Sequence, residues 1–319
     1  MTTQTKNVCV YIGEGLRSYG FGQGHPFGPD RMDAFWKEAK RQKVDSKVSV
    51  LEPVLADRAV IERFHTAEYV DRVFAQSKTG TGLLDYGDTP AFPGVFEAAS
   101  FVVGSTLDAC HRLMKGDCRR AFVPIAGLHH ARRDSAGGFC VFNDPGIAIE
   151  ILREQYGLTR IAYVDIDAHH GDGVFYSFES NPEVFIADIH EDGRFLYPGT
   201  GSASETGRGK AVGTKLNIPM PLYADDDSFL EAWEAVEKFV DAAAPEFILL
   251  QCGSDGLAGD PITHLQYSEL AHAHASKRLC ALADRHCGGK FLATGGGGYN
   301  RDNIGKAWTA IVTSMVESG

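Results

Sequence analysis

Nine consecutive residues, "DIDAHHGDG" from Asp165 to Gly173, hold three aspartates and two histidines directly after an apolar run that ends at Val164. Carboxylates and imidazoles crowded at the end of a buried strand suit two kinds of chemistry, holding a metal ion and moving protons. Asp167 and His169 lie two apart, so on a locally extended backbone both side chains point to one side and can share a ligand. A third donor must come from another strand end, and Asp255 in "QCGSDGLAGD" is the best-placed carboxylate. Asp, His and Asp with one position left for water is the donor pattern of a catalytic zinc rather than a structural one. A zinc already held by two carboxylates hardly needs four, which leaves Asp165 and Asp172 for another use. The pair His129 and His130 in "GLHHARRD" supplies it. A carboxylate that accepts the Nδ1 proton of a histidine fixes its tautomer and frees Nε2 to handle protons.

These groups must be positioned by a scaffold, and the sequence indicates which. Short apolar runs, "VCVYI", "AFVPIAG", "RIAYVDI", "EVFIADI", "GTKLNIP", "EFILLQCG" and "KFLATGGGG", alternate with helical patterns. The helices are expected over Pro93 to Met114, Pro145 to Tyr156, Asp226 to Ala243, Tyr267 to Arg285 and Asn303 to Met315. Alternation of this kind is the signature of an α/β fold with a mainly parallel multi-stranded sheet flanked by helices. The ionisable clusters all follow strands, and open parallel sheets bind ligands outside the carboxyl ends of their strands. Four loops are therefore expected to converge on one site. No repeat or linker divides the 319 residues, so a single domain over 1–319 is expected, with "KTGTGLLDYGDTPAFPG" a long surface loop.

Composition narrows the function classes. With 44% hydrophobic and 23% charged residues the chain reads as globular, and a net charge of −11 argues against a nucleic-acid partner, which needs a basic footprint. Seven cysteines without a C-x-x-C pair fit a reducing compartment. No basic leader and no long apolar run is present, so the expectation is a cytoplasmic protein with no membrane partner. No heptad or apolar stripe marks an oligomer interface.

Together, "GLHHARRDSAGGFCVFND", "YVDIDAHHGDG", "HEDGRFLYPGTG", "LQCGSDGLAGDP" and "GGGGYN" resemble the successive motifs of the zinc-dependent histone deacetylase family, which has the arginase-deacetylase fold. The resemblance runs from "GHPFGPDR" to the C-terminal helix. "HEDGRFLYPGTG" and "GDPITHLQYS" are most similar to bacterial members, including acetoin-utilisation deacetylases. The resemblance implies that Asp167, His169 and Asp255 hold zinc. It makes His130 the general base and then acid, and His129, paired with Asp165, an electrostatic support. Tyr299 would donate its hydroxyl to the amide oxygen, as a developing oxyanion requires. Phe139 and Tyr197 would wall a narrow tunnel, and Gly138 would offer its carbonyl to the scissile amide. Asp88 in "YGDTP" would meet substrate backbone at the rim, and Ile262 would lie at the tunnel mouth. Arg31 matches a buried arginine on the acetate exit route, although its position also suits a surface residue beginning a helix.

The family also carries structural potassium. One site would use Asp165, Asp167, the His169 carbonyl, Asp188 and Ile189, with relatives placing serine where this chain has Asp188. A second would use carbonyls near Phe178, Asn181, Val184 and Thr214. The expected substrate is acetyl-lysine in a protein or peptide, or alternatively an acetylpolyamine or other small N-acyl amine. An arginase- or agmatinase-like binuclear hydrolase shares the fold but needs more bridging ligands, and a non-enzymatic scaffold would have lost a catalytic position.

Overall fold

The computed structural model describes residues 7–22 and 24–319. Among these, eight strands form one sheet: β1 (Val8–Tyr11), β2 (Ser49–Leu51), β3 (Arg120–Val123), β4 (Ile161–Asp165), β5 (Val184–Glu191), β6 (Lys215–Met220), β7 (Phe247–Gln251) and β8 (Phe291–Thr294). β1, β3, β4, β7 and β8 are buried at every position, as strands covered on both faces must be. The order is β2-β1-β3-β8-β7-β4-β5-β6, and every pairing is parallel. The four strands that carry the ionisable motifs, β3, β8, β7 and β4, are therefore consecutive neighbours at the centre of the sheet.

The helices are α1 (Glu14–Arg17), α2 (Arg31–Arg41), α3 (Arg58–Ile61), α4 (Ala67–Thr79), α5 (Val95–Lys115), α6 (Asp144–Tyr156), α7 (Asp172–Phe178), α8 (Asp226–Ala243), α9 (Glu269–Cys287) and α10 (Arg301–Glu317). They flank the sheet in two groups: α2, α9 and α10 pack together with α8 against α9, while α4 and α6 pack on α5. Their ends follow local chemistry. Asn143 caps α6 by accepting from the Gly146 N–H, and Gly157 in the left-handed region ends it. Asn300 caps α10 by accepting from Asp302 and Asn303, which fixes the residue just before it, Tyr299, at a helix entrance.

All seven expected strands form, and the five expected helices form with ends displaced by one or two residues. The sequence reading contains neither β2 nor α2 and α4. β2 is three residues long and sits at the sheet edge, too short to show a period. In α2 the charged residues outnumber the apolar ones, although Met32, Phe35 and Ala39 still form a buried face. The segment between α4 and α5 is the expected surface loop.

One buried carboxylate ties α5 and α6 to the loop that carries the histidine pair. Asp144, in the first turn of α6, accepts from the Gly127 N–H at 3.0 Å, the Leu128 N–H at 2.8 Å and the Thr106 hydroxyl at 2.9 Å. Asp144→Ala strips two buried N–H groups of their acceptor, each costing about 1–3 kcal/mol. The expected result is a lower urea midpoint at unchanged m-value, corresponding to a stability loss of roughly 2–6 kcal/mol. A change within about 0.5 kcal/mol, as for an ordinary surface substitution, would show that the loop holds itself.

Candidate active site

Beyond β4 the chain bends through residues 167–169 rather than staying extended, with the Asp167 N–H donating to Asp165 Oδ1 at 3.1 Å and the His169 N–H to Asp167 Oδ1 at 3.0 Å, and this turn brings Asp167 and His169 together. Asp255, after β7, joins them: its Oδ1 accepts from the Ala168 N–H at 2.9 Å, and its Oδ2 lies 3.2 Å from His169 Nδ1. Asp167 Oδ1 is 3.0 Å from the same nitrogen. One donor atom from each of the three lies within 4.8 Å of the others, and all three residues are buried. Asp167 Oδ2 faces away, held by Gln251 Nε2 and the Gly297 N–H, both at 2.8 Å. Gly297 is required there, since a Cβ would fall 2.2 Å from Asp255 Oδ2. Burial alone would lower the His169 pKa, but the two carboxylates push it up to about 10. Two carboxylates and one imidazole nitrogen converging on a point is a donor set suited to a divalent cation with an open position.

Beside this set stand two His–Asp pairs. His129 Nδ1 is 2.8 Å from Asp165 Oδ2, which also accepts the Tyr163 hydroxyl at 2.6 Å. His130 Nδ1 is 2.8 Å from Asp172 Oδ1, and Arg132 holds Asp172 Oδ2 at 3.0 Å. The two Nε2 atoms are 3.1 Å apart. With both Nδ1 atoms donating to carboxylates, that contact forms only if one Nε2 carries a proton and the other does not. Burial disfavours the His129 cation, yet the charges of Asp165 and Asp167 raise its pKa to about 9. Burial and then the His129 charge lower His130 to about 4. These surroundings favour a proton on His129 over one on His130.

A narrow cavity leads to these groups, lined by Phe27, His130, Gly138, Asp167, His169 and Tyr299 among others. The Phe139 ring lies 5.8 Å from that of Tyr299, and the half-exposed Tyr197 ring lies 5.0 Å from His130. Phe139 has φ +66, a left-handed conformation that bulky residues rarely adopt. It is held there because its carbonyl accepts the Tyr19 hydroxyl at 2.6 Å and its N–H donates to Thr89 Oγ1 at 3.0 Å. Burial, and then the charges of Asp255 and Asp167, keep the Tyr299 hydroxyl protonated well above the ordinary phenol range. The alternative of a surface position for Arg31 fails: it begins α2 but is fully buried. Its guanidinium donates to the carbonyls of Gly298 at 2.8 Å and Gly296 at 2.6 Å, bracing the glycine loop that ends in Tyr299.

At the rim, Asp88 is exposed, and its carbonyl meets His25 Nε2 at 3.2 Å. The His25 ring in turn stands 4.5 Å from that of Phe139. Ile262 is 36% exposed, and its N–H donates to Asp260, whose other oxygen accepts the Tyr299 N–H at 2.8 Å. The residues named for potassium fall into two clusters. Asp165 and Asp188 are neighbours across β4 and β5, and Asp188 is engaged by His190 Nδ1 at 2.6 Å and the Gly171 N–H at 2.9 Å. Ile189 continues β5 beside them. In the second cluster, the carbonyls of Asn181 and Val184 and the hydroxyl of Thr214 accept from Lys215, and the Phe178 carbonyl accepts the Asn181 N–H.

Gln251, Tyr163, Asp260 and Lys215 escape sequence reasoning. Gln251 left a signal, as the one polar residue closing the buried strand "FILLQ". Asp260 and Lys215 bond to residues remote in sequence, while Tyr163, two residues before Asp165 in the same motif, reads as one more apolar strand position.

An eight-stranded parallel sheet with this constellation at its central strand ends defines the arginase-deacetylase fold. The crystal structure of the HDA15 HD domain superposes with a TM-score of 0.90 at 26% identity, covering 98% of this chain and 89% of that one. A model of the histone deacetylase domain matches residues 25–315, and the chain belongs to the histone deacetylase family. It is 38% identical to the acetoin utilization protein AcuC of Bacillus subtilis over 97% of this chain and 82% of that protein. Histone deacetylase 6 of Arabidopsis thaliana is 32% identical over 97% of this chain and 67% of its own length. The protein is accordingly a deacetylase hydrolase, similar to AcuC, that acts on an acetylated substrate.

Gly138, at φ +50, has no room for a methyl group: a Cβ would fall 2.4 Å from His130 Cδ2. Gly138→Ala should displace the His130 ring and lower kcat/KM by roughly 10²-fold, the cost of about 1 Å of misplacement. Metal content should be unchanged. Activity within about twofold of wild type would mean that His130 tolerates the shift and is not positioned by this loop.

Proposed function

We propose that the protein is a zinc-dependent amidohydrolase that removes acetyl groups from the ε-amino group of acetyl-lysine in proteins or peptides. The observation that carries this reading is the Asp167, His169 and Asp255 donor set lying beside two histidines whose Nδ1 atoms face Asp165 and Asp172. Zinc bound by those donors supplies Lewis acidity toward water and the acyl oxygen. His130, neutral and oriented by Asp172, takes the proton of the attacking water at Nε2. It later returns that proton to the leaving amine. His129, held as a cation by Asp165, offsets the negative charge that develops in the transition state. Tyr299 donates its hydroxyl to the acyl oxygen. The Gly138 carbonyl accepts the amide N–H, while Phe139 and Tyr197 enclose the aliphatic chain and exclude water. Arg31, behind the glycine loop, lies toward the route by which acetate leaves. The net reaction consumes water and yields free amine and acetate.

Structural potassium at Asp165, Asp167, the His169 carbonyl, Asp188 and Ile189 is consistent with the clustered carboxylates there. All seven cysteines are free and buried, which supports a reducing, cytoplasmic setting. Among the described residues no helix is long and apolar enough to cross a membrane.

Tyr299→Phe should retain one zinc per chain by metal analysis and lower kcat by roughly 10²–10³, the cost of one oxyanion donor. Unchanged turnover would remove Tyr299 from the reaction, and two tightly bound manganese ions would replace this reading with a binuclear one.

Substrate choice turns on the rim. Ile262, an apolar side chain in this reading at the mouth, offers no charge of its own to a secondary ammonium, while the exposed Asp88 can hydrogen-bond peptide backbone. An acetyl-lysine peptide should therefore be preferred over acetylspermidine, with a modest margin, since one missing charge-assisted contact is worth about 1.5–3 kcal/mol. Comparing specificity constants decides it. An advantage for the polyamine would favour acetylpolyamine or another small acyl amine as the substrate.

A further inference from the structure

Lys215, the first residue of the edge strand β6, is 2% exposed, an unusual position for an ammonium. Its Nζ donates to the Val184 carbonyl at 2.6 Å, the Thr214 hydroxyl at 2.8 Å and the Asn181 carbonyl at 3.1 Å. An ammonium has three N–H bonds, and three uncharged oxygens use them all. Among the described residues no carboxylate lies within 4.0 Å of it. Two of these oxygens, the Asn181 and Val184 carbonyls, belong to the cluster that the family resemblance assigns to a second potassium ion. The remaining carbonyls of that cluster are also engaged, Phe178 by the Asn181 N–H and Thr214 by the Ile186 N–H, both at 3.0 Å. A monovalent cation does not fit beside the ammonium, because both would need the Asn181 and Val184 carbonyls and like charges at such range repel strongly.

We propose that Lys215 is a built-in replacement for an exchangeable monovalent cation, fixing the turn between α7 and β5 to the start of β6 without potassium. The turn matters to the site because α7 begins at Asp172, which orients His130, and β5 carries Asp188. A covalently attached cation cannot dissociate. This half of the sheet should therefore keep its order in potassium-poor medium. The inference concerns scaffold cations only and stands whether or not the zinc reading does.

The test uses the full-length, metal-loaded protein. Bound Rb⁺ is counted by equilibrium dialysis for wild type and for Lys215→Ala, and thermal midpoints are compared in KCl and in choline chloride of equal ionic strength. Lys215→Ala should bind one more Rb⁺ per chain than wild type. Its midpoint should fall in choline chloride and recover saturably in KCl, a rescue that lost packing alone would not show. A folded variant that binds no additional Rb⁺ would overturn the proposal. Should Lys215→Ala not fold in either salt, wild-type crystals grown with Tl⁺ decide. An anomalous peak among Asn181, Val184 and Thr214 would overturn the idea, and clean density there for the Lys215 ammonium would sustain it.

Discussion

Buried negative charge is the constraint on which the rest of this structure depends. Asp165, Asp167, Asp172, Asp188 and Asp255 lie in or just after β4, β5 and β7, and none is more than 1% exposed. An isolated carboxylate at such depth is strongly unfavourable unless it is paired and hydrogen-bonded. Each has partners: His129 and Tyr163 on Asp165, Gln251 and Gly297 on Asp167, His130 and Arg132 on Asp172, His190 and Gly171 on Asp188, Ala168 and His169 on Asp255. Glycines supply space and amide donors where a side chain would collide, and strand-end polar residues appear where an apolar one would leave an oxygen bare.

The partners that make burial tolerable also aim the reactive groups. Gln251 and Gly297 occupy one oxygen of Asp167 and leave the other turned toward His169. Asp165 and Asp172 present similar acceptors to adjacent imidazoles, yet the pKa of His129 is raised and that of His130 lowered. The difference lies in the surroundings: His129 feels Asp165 and Asp167 together, whereas His130 faces a cationic neighbour and one carboxylate that Arg132 partly neutralises. Two histidines adjacent in sequence thereby acquire different chemistry from their neighbours in space.

The same logic reaches the sheet edge with the sign reversed. There a group of oxygens calls for positive charge, and the chain supplies it covalently through Lys215. At the glycine loop, Arg31 does the equivalent for the carbonyls of Gly296 and Gly298. Both cations lack a carboxylate partner within salt-bridge range among the described residues, and both stabilise backbone that leads toward the site.

The amino-acid sequence by itself determined the fold class, the parallel sheet and the residues of the Asp, His and Asp donor set, because these are written in local patterns. Apolar runs of strand length declare buried strands, and the motifs that follow them name Asp167, His169 and Asp255, whereas the bend that brings Asp167 and His169 together appears only in the structure. The long motifs made the family legible as well. Tertiary structure alone decided that β3, β8, β7 and β4 lie side by side, which turns four separate loops into one site. It also decided that Arg31 is buried, that Gln251 holds Asp167, and that Lys215 fills the second cation cluster. Each of these depends on contacts between segments remote in sequence or on where a side chain is directed, and no local period or spacing encodes either.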